Sequence, residues 1–493
     1  MKKACIISFS SLLLLLNVNS QPLKVSENGR HLQNMDGTSF FWMGDTGWEL
    51  FHRLDREEVK LYFADRAEKG FNLIQAVILH ELQAFEAPNA YGDFPLEDEN
   101  IEKINTTPGD NPDNPEEYDY WDHVEYIVAE AEKYDLIMGV LPCWGEYVTP
   151  RFRERTIQTE EQGYNYGYYV GNRLKKYNDN IVWILGGDRL PDESKNGVNI
   201  WRAMAEGITD GVNDNRGYDS KADYSSTFMT YHCYASSARW FHEDPWLDMH
   251  TWGSYHEKRN NERSYRTAYQ DWILPDPKPS LNSEPCYEDL PVNYDWKDVS
   301  KGRFDAFDIR QAAYWSVMSG TCGHTYGNHY VWQMYKEENP HPPLTLNNRM
   351  EWHEALDSPG AFQMQYLKDL ILSRFSIHRE PNQAILSRNP YDPAGNLVAC
   401  SSPHTTMIYN PTGKTVSIEE KELEKLYPSV KAWWYNARNG EAILIGTFTA
   451  GEDKLDFTPP GEVERGNDWV LVLDDVKADL RFTLMEPGEI KAN

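Results

Sequence analysis

Two carboxylic acids in this sequence stand where acid–base chemistry would need them. Asp188 follows the apolar run at residues 181–185 and a Gly-Gly pair, and Glu284 ends the short run at 279–283. Both runs are typical of buried strands. One carboxyl group that protonates a leaving oxygen and a second that attacks carbon or activates water can together cleave a glycosidic bond. We therefore predict that Asp188 and Glu284 face each other across one sugar-sized site as its catalytic pair.

Further side chains near predicted strand ends could bind a sugar through hydrogen bonds to hydroxyl groups or through aromatic rings against C–H faces. The candidates for hydrogen bonding are Asp45, His80, His232, His250 and His324. The candidates for stacking are Trp48, Trp144, Tyr234, Trp252, Tyr287 and Tyr326. The alternative interpretations are a turn cap for Asp45, core or rim packing for each histidine, and ordinary barrel packing for most of the rings.

Metal chemistry is disfavoured by residue spacing. The histidines form no His-x-His or His-Glu-x-x-His pattern, which a zinc enzyme of the common kinds would show. After Cys5, the cysteines are widely spaced and form no Cys-x-x-Cys pair; they are Cys143, Cys233, Cys286, Cys322 and Cys400. We therefore expect buried free thiols, no metal and no cofactor.

Strand and helix patterns alternate over the stretch that carries these residues. The predicted strands lie at 39–45, 71–79, 136–142, from 181, at 227–232, 247–252, from 279, and around 321–326. Stripes of apolar residues at helical spacing separate most of them, although the connection at 234–246 is too short for a full crossover helix. Parallel strands joined in this way predict an α/β fold, a (β/α)8 TIM barrel over residues 21–379 with a hairpin at 21–38 ahead of it.

The secondary-structure pattern of the sequence changes at Glu380. Short β-type runs separated by Gly, Pro and Asn turns follow, without an acid pair of their own. This pattern predicts a small all-β sandwich over residues 380–493.

The N-terminal segment and the net charge of the chain indicate where the protein acts and which partners it lacks. Residues 1–20 have the basic start, short apolar run and small-residue exit of a signal peptide, and Cys5 precedes the apolar run rather than ending it. No other stretch is long and apolar enough to span a membrane. The formal net charge of −29 excludes a basic footprint for nucleic acid. We expect a protein of the periplasm or the extracellular space.

The ordered motifs resemble the apiosidase-like family of glycoside hydrolases, glycoside hydrolase family 140, in which a TIM-barrel catalytic domain precedes a β-sandwich once named for collagen binding. The matching segments are residues 42–48, 89–96, 182–188, 282–288, 323–327 and 434–440. The resemblance implies hydrolysis of bonds to the branched pentose apiose in side chains of plant pectin, with Asp188 and Glu284 as the catalytic pair. Asp188 departs from the glutamate that most barrel glycosidases carry at the end of the fourth strand.

Two other classes of function compete with this interpretation. The chain could be a non-catalytic glycan- or collagen-binding protein built on a barrel scaffold, since fold does not fix function. A barrel esterase is disfavoured because no Gly-x-Ser-x-Gly segment occurs. For the glycosidase, a retaining route needs the carboxyl groups roughly 5–5.5 Å apart and an inverting route roughly 6.5–9.5 Å. We predict retention, with Glu284 as the nucleophile and Asp188 as the acid and base, although the short Asp188 side chain biases the gap upward.

Overall fold

The computed structural model of the protein describes residues 21–79, 87–150, 156–295, 299–337, 345, 347–374, 376–451 and 455–482. The predicted signal peptide at 1–20 and the candidate ligand His80 lie outside these residues. The described chain forms an α/β barrel followed by an all-β domain. No helix in this part of the chain combines the length and the apolar character needed to cross a bilayer.

A small antiparallel sheet precedes the barrel. Its strands are β1 (Leu23–Val25), β2 (Leu32–Asn34) and β3 (Ser39–Phe40). The hairpin predicted at 21–38 is therefore present, and β3 extends it by a third strand. The run predicted as one strand at 39–45 is divided between β3 and the first barrel strand.

Eight parallel strands form the barrel wall. They are β4 (Trp42–Thr46), β5 (Leu73–Leu79), β6 (Ile137–Cys143), β7 (Ile181–Gly186), β8 (Phe228–His232), β9 (His250–Gly253), β10 (Ser280–Glu284) and β11 (Gly323–Tyr326). Six of them pair in the order β11-β4-β5-β6-β7-β8, and β9 pairs with β10. Backbone hydrogen bonds cross the two seams, from Asp248 N to Met229 O at 2.9 Å and from Cys322 N to Ser280 O at 2.9 Å.

Helices cover the outside of this wall. They are α1 (Leu50–Arg53), α2 (Arg56–Glu68), α3 (Tyr120–Ala131), α4 (Glu160–Leu174), α5 (Gly197–Val212), α6 (Ala238–Phe241), α7 (Arg263–Trp272), α8 (Ala306–Met318), α9 (Trp352–Ala355) and α10 (Pro359–Leu372). Helix α2 begins at Arg56, because the Asp55 side chain before it accepts from the amides of Glu57 and Glu58. Helix α6 is a single turn, which explains the weak repeat between Tyr234 and Trp246.

The C-terminal domain is built on an antiparallel sheet. Its strands and its helix are β12 (Glu380–Pro381), β13 (Val398–Ser401), β14 (Thr405–Asn410), β15 (Val416–Ser417), α11 (Glu420–Leu426), β16 (Ser429–Asn436), β17 (Ala442–Thr449), β18 (Asp456–Phe457) and β19 (Trp469–Asp475). Six strands pair in the order β12-β13-β14-β19-β16-β17, and β15 pairs with β18. Residues 480–482, at the end of the described chain, form no strand.

The two faces of this sheet bury different cores. Because side chains alternate along a strand, Tyr409 and Trp433 face the barrel and join its hydrophobic core. Ile408 and Trp434, their neighbours in sequence, pack instead into a second core that includes α11 and the β15-β18 ladder. Ion pairs reinforce the contact with the barrel, as between Arg310 and Asp468 at 2.7 Å. The C-terminal domain is thus docked through a shared core.

Candidate active site

A glycine turn aims Asp188 into the top of the barrel. Strand β7 ends at Gly186, and Gly186 and Gly187 have φ values of 86° and 135°. A Cβ on Gly187 would lie 2.6 Å from the Trp144 ring and 2.8 Å from the backbone nitrogen of Gly145. Only glycine combines this backbone with this close approach. The Gly-Gly pair therefore fixes the direction in which the chain delivers the carboxylate.

A β-bulge aims Glu284. Along the β9-β10 ladder Asn282 pairs with Trp252, but the next pairing joins Glu284 to Gly253, so Ser283 is an extra residue. A bulge places consecutive side chains on one face, which a regular strand cannot do. Both reach His232: its Nδ1 is 3.0 Å from Ser283 Oγ, and its Nε2 is 3.1 Å from Glu284 Oε2.

The two predicted carboxylates meet around His232 at the end of β8. His232 Nε2 lies 3.1 Å from Glu284 Oε2 and 3.8 Å from Asp188 Oδ1. One oxygen of each carboxylate and one nitrogen of the imidazole all lie within 4.8 Å of one another. The Asp188 side chain is 31% exposed and that of Glu284 is 7% exposed. The more accessible acid can reach a leaving group, and the buried acid is held in place.

Charge is redistributed within this trio. Burial alone would lower the pKa of His232, but its hydrogen bonds to Asp188 and Glu284 and their negative charges raise it to about 9. Burial would raise the pKa of Asp188, but it is outweighed by the hydrogen bond and charge of His232, the Tyr255 hydroxyl and Arg189, so this pKa lies below its usual value. At neutral pH His232 is thus a charged imidazolium beside Asp188 and Glu284.

Sequence reasoning missed two residues in the loop after β9. Tyr255 donates from its hydroxyl to Asp188 Oδ1 at 2.8 Å. His256 Nδ1 accepts from the backbone amide of Tyr287 at 3.2 Å, so its Nε2 carries the proton and donates to Glu284 Oε1 at 3.1 Å. Tyr255 has a φ of 53°, and a Cβ on Gly253 would lie 2.0 Å from its ring. Gly253 was the single sequence signal for this strained arrangement.

Aromatic rings wall the trio on several sides. Trp48 lies 5.2 Å from Trp144 and 5.4 Å from His232 between ring centroids, and Trp48 Nε1 donates to the Tyr287 hydroxyl at 3.1 Å. Tyr234 stacks on Tyr255 at 5.0 Å, further out. The structure thus brings together Trp48, Trp144, Tyr234 and Tyr287 with the three central residues. Tyr294, another residue that the sequence did not indicate, packs edge-on against His256 and is 38% exposed.

Asp45 and Tyr326 belong to the helix layer rather than to the site. Asp45 Oδ2 accepts from the Tyr62 hydroxyl on α2 at 2.7 Å and lies 3.6 Å from Arg66. The Tyr326 hydroxyl donates to Glu288 Oε2 at 2.7 Å. The expectation that these two residues bind sugar is corrected for one reason. Strand alternation points Thr46 inward to Gln75, and thus the preceding side chain outward.

His250, Trp252 and His324 also lie on the outer face of the wall. His250 Nε2 meets His242 Nδ1 at 3.1 Å, and Trp252 Nε1 donates to Ser280 Oγ at 2.9 Å. His324 is fully buried, and neither of its ring nitrogens has a hydrogen-bond partner among the described residues. Each of these three predictions took proximity to a strand end as proximity to the site, whereas the face of the strand decides.

A metal ion could be held at one place among the described residues, by the ligand atoms of Asp188, His232 and Glu284. Two oxygens and one imidazole nitrogen suit a divalent cation. Such an ion would have to displace the proton on His232 Nε2. Spacing along the chain could not reveal this set, because its members lie at or just after the ends of three different strands.

Comparisons with known proteins agree over nearly the whole chain. A family model described as "Apiosidase-like, catalytic domain" matches residues 26–377, and one described as "Putative collagen-binding domain of a collagenase" matches residues 381–474. A solved structure titled "Glycoside hydrolase" is 30% identical, with 94% of this chain and 98% of that chain covered and a TM-score of 0.80. A glycoside hydrolase family 5 protein from Bacteroides vulgatus is 29% identical, with 94% and 95% covered and a TM-score of 0.80. No curated protein matches the sequence.

Proposed function

We propose a specific reaction for this chain, which belongs to the apiosidase-like family and is a glycoside hydrolase. The substrate is a side chain of plant pectin, and the bond that is cleaved is a glycosidic bond to apiose. The observation that carries the chemistry is the trio of Asp188, His232 and Glu284, in which two carboxylates share one charged imidazole. The family match supports the choice of sugar, and the signal-like segment at 1–20 supports action outside the cytoplasm, in the periplasm or the extracellular space.

The spacing of the carboxylates supports a retaining reaction. Their nearest oxygens lie within 4.8 Å of each other. Retaining enzymes hold the two groups roughly 5–5.5 Å apart, whereas inverting enzymes need roughly 6.5–9.5 Å to admit a water molecule between acid and base. The bulge at Ser283 advances Glu284, which offsets the shorter reach of Asp188.

Glu284 is the nucleophile. Its two oxygens accept from two imidazoles, His232 Nε2 and His256 Nε2, both at 3.1 Å. Two such donors orient the carboxylate toward one point. Its attack on the anomeric carbon forms a covalent glycosyl ester while the bond from that carbon to the leaving oxygen breaks.

Asp188 is the acid and then the base. It protonates the leaving oxygen as Glu284 attacks, and afterwards takes a proton from the water that hydrolyses the ester. The resting site keeps its one proton on His232, whose pKa is about 9. Transfer of that proton from Nε2 to Asp188 Oδ1, 3.8 Å away, makes Asp188 a proton donor. It also removes a hydrogen bond from Glu284. The same transfer therefore prepares both carboxylates.

The rings of Trp48, Trp144 and Tyr287 form the sides of the site. Their faces and edges exclude water from the carboxylates and present apolar surface to the C–H groups of a bound sugar. Such a wall raises the strength of every charge interaction inside it.

The decisive experiment is incubation of the protein with a panel of apiose-containing and apiose-free pectic oligosaccharides. We expect release of apiose, and the first-formed sugar should keep its anomeric configuration when NMR spectra are recorded before mutarotation. Binding of the oligosaccharides without release of any sugar would favour the alternative, a glycan-binding protein. Inversion would make Glu284 a base rather than a nucleophile.

A further inference from the structure

The loop that follows β9 touches both catalytic carboxylates but is built from strained backbone. Tyr255 and Asn260 have φ values of 53° and 51°. Residues in this region of backbone space persist only when their surroundings hold them. Part of the support comes from β10, where Glu284 O accepts from Tyr255 N at 3.0 Å and Asn282 Oδ1 accepts from Ser254 N at 3.1 Å.

The rear of this loop is held by a buried carboxylate on α8. Arg259 Nε donates to Asp308 Oδ2 at 3.1 Å, and the same guanidinium donates to the backbone oxygens of Lys301 and Arg303. Asp308 is only 2% exposed at its side chain. An arginine fixed at three acceptors cannot move without moving the loop, so the position of Asp308 is transmitted to Tyr255 and His256.

The C-terminal domain reaches the same carboxylate from the other side. Arg465 donates to both oxygens of Asp305, at 2.7 and 2.9 Å, and its Nη2 lies 2.8 Å from Asp308 Oδ1. Asp308 therefore lies between Arg259 of the catalytic loop and Arg465 of the C-terminal domain. Neither Asp305 nor Asp308 belongs to the trio, and the catalytic reaction described above uses neither.

Most of the buried contact between the C-terminal domain and the barrel lies away from Arg465. The side chain of Arg465 is 44% exposed and lies at the edge of the contact. The shared hydrophobic core and the buried pairs Arg310–Asp468 and Arg374–Asp474 hold the domain in place. Arg465 thus contacts the barrel at Asp305 and Asp308, and Asp308 is the residue that holds the loop through Arg259.

We propose that Arg465 is a positioning residue through which the C-terminal domain holds the Tyr255–His256 loop, by way of Asp308 and Arg259, in the conformation that catalysis needs. The domain is then part of the catalytic apparatus rather than a separate binding module. The catalytic part of this inference rests on the proposed function, whereas the mechanical part does not.

The test uses the full chain and three variants. Arg465→Met removes the charge and the fork of donors, and Arg465→Lys keeps a charge. Arg481→Met is the matched control, because Arg481 is an exposed arginine of the same domain that donates to Asp479. Hydrogen–deuterium exchange of the peptide spanning 254–262 reports on the loop, and kcat, KM and the pH–rate profile report on catalysis.

We expect Arg465→Met to speed exchange in this peptide and to lower kcat by about 3-fold to 30-fold with little change in KM. The pH profile should move with it, because a displaced Tyr255 no longer lowers the pKa of Asp188. Arg465→Lys should recover part of both effects, and Arg481→Met should show neither. Unchanged exchange in Arg465→Met would overturn the proposal, as would an equal change in Arg481→Met. If the wild type cleaves no substrate, the proposed function fails, but the exchange experiment still decides this inference.

Discussion

Two histidines at the ends of barrel strands show how differently the two faces of one wall behave. His232, on the inner face, lies between two carboxylates that raise its pKa to about 9. His324, on the outer face, is sealed among apolar groups and helices, and burial lowers its pKa to about 3. Both are histidines of barrel strands, although His232 is the last residue of β8 and His324 is the second residue of β11. The face of the strand decides whether an imidazole is a charged member of a reacting site or a neutral filler of the core.

The same contrast separates two aspartates. Asp188 lies above the inner face and accepts a hydrogen bond from Tyr255, while Asp45 lies on the outer face and accepts one from Tyr62. Each is an aspartate bonded to a tyrosine hydroxyl near a strand end. Asp188 is 31% exposed and shares His232 with Glu284, whereas Asp45 is fully buried and lies 3.6 Å from Arg66. The tyrosine hydrogen bond alone would not distinguish a candidate catalytic acid from a structural one.

The largest effect is expected at the two inner carboxylates. Asp188→Asn and Glu284→Gln each remove one role of the pair while keeping its shape, so each should lower kcat by about 10² to 10⁴. Circular dichroism and the melting temperature should stay close to those of the wild type. Near-wild-type turnover of the true substrate by either variant would exclude that residue from the mechanism.

The next effect concerns the stored proton. In the wild type the proton on His232 is present below its pKa of about 9, so kcat should fall as the pH rises through that value. In His232→Gln the proton must reside on Asp188, so the alkaline limb should move to lower pH and kcat should fall by about 10² at neutral pH. An unchanged alkaline limb in the variant would show that His232 does not hold the proton.

Protonation of His232 also contributes to stability. Because its folded pKa lies above the unfolded value of 6.5, the contribution is complete below pH 6.5 and is lost as the pH rises toward 9. The free energy of unfolding of the wild type should therefore decline over this window more steeply than that of His232→Gln. Equal slopes in urea titrations would contradict the raised pKa.

Asp45→Asn makes the change of Asp188→Asn on the other face of the wall. It weakens a charged hydrogen bond with Tyr62 and leaves Arg66 with less negative charge nearby, so the free energy of unfolding should fall by about 1.5–3 kcal/mol. The kcat measured below the melting transition should not change. A loss of kcat as large as in Asp188→Asn would show that Asp45 takes part in the active site.

The smallest effect is expected for His324→Leu, and only in acid. With a folded pKa of about 3, the neutral His324 contributes stability that is present above pH 6.5 and is lost as the pH falls below it. On acidification the free energy of unfolding of His324→Leu should therefore fall less than that of the wild type, by up to about 1.4 kcal/mol for each pH unit. Urea titrations at pH 7 and pH 5 measure the difference, and an equal loss in variant and wild type would contradict it.

Much of the fold was accessible from the sequence because its signals are local. Runs such as 71–79 and 181–185 are apolar throughout, which is what a strand buried on both faces requires. Asp55 and Glu58 mark the start of helix α2 in the sequence, because they form a capping box. The division of 39–45 between two sheets could not be seen, because both parts are equally apolar and only pairing partners distinguish them.

The proximity of Asp188 and Glu284 could be predicted for a related reason, whereas most of their surroundings could not. Asp188 and Glu284 follow strands directly, so the barrel geometry alone brings them together. Tyr255 and His256 follow a strand too, but their contacts depend on a positive φ and on the space left by Gly253. The outer residues Asp45, His250, Trp252, His324 and Tyr326 were misplaced because register sets the face of a strand.

The core that the barrel shares with the C-terminal sheet also constrains how the two domains can evolve. Tyr409 and Trp433 are buried against barrel residues, as in the stack of Tyr409 on Tyr314 at 4.8 Å. A gene fusion that exchanged either half alone would expose this apolar surface to water. The two segments, which read as separate units in sequence, therefore have to descend together, and a change on one side of the contact constrains what the other side can become.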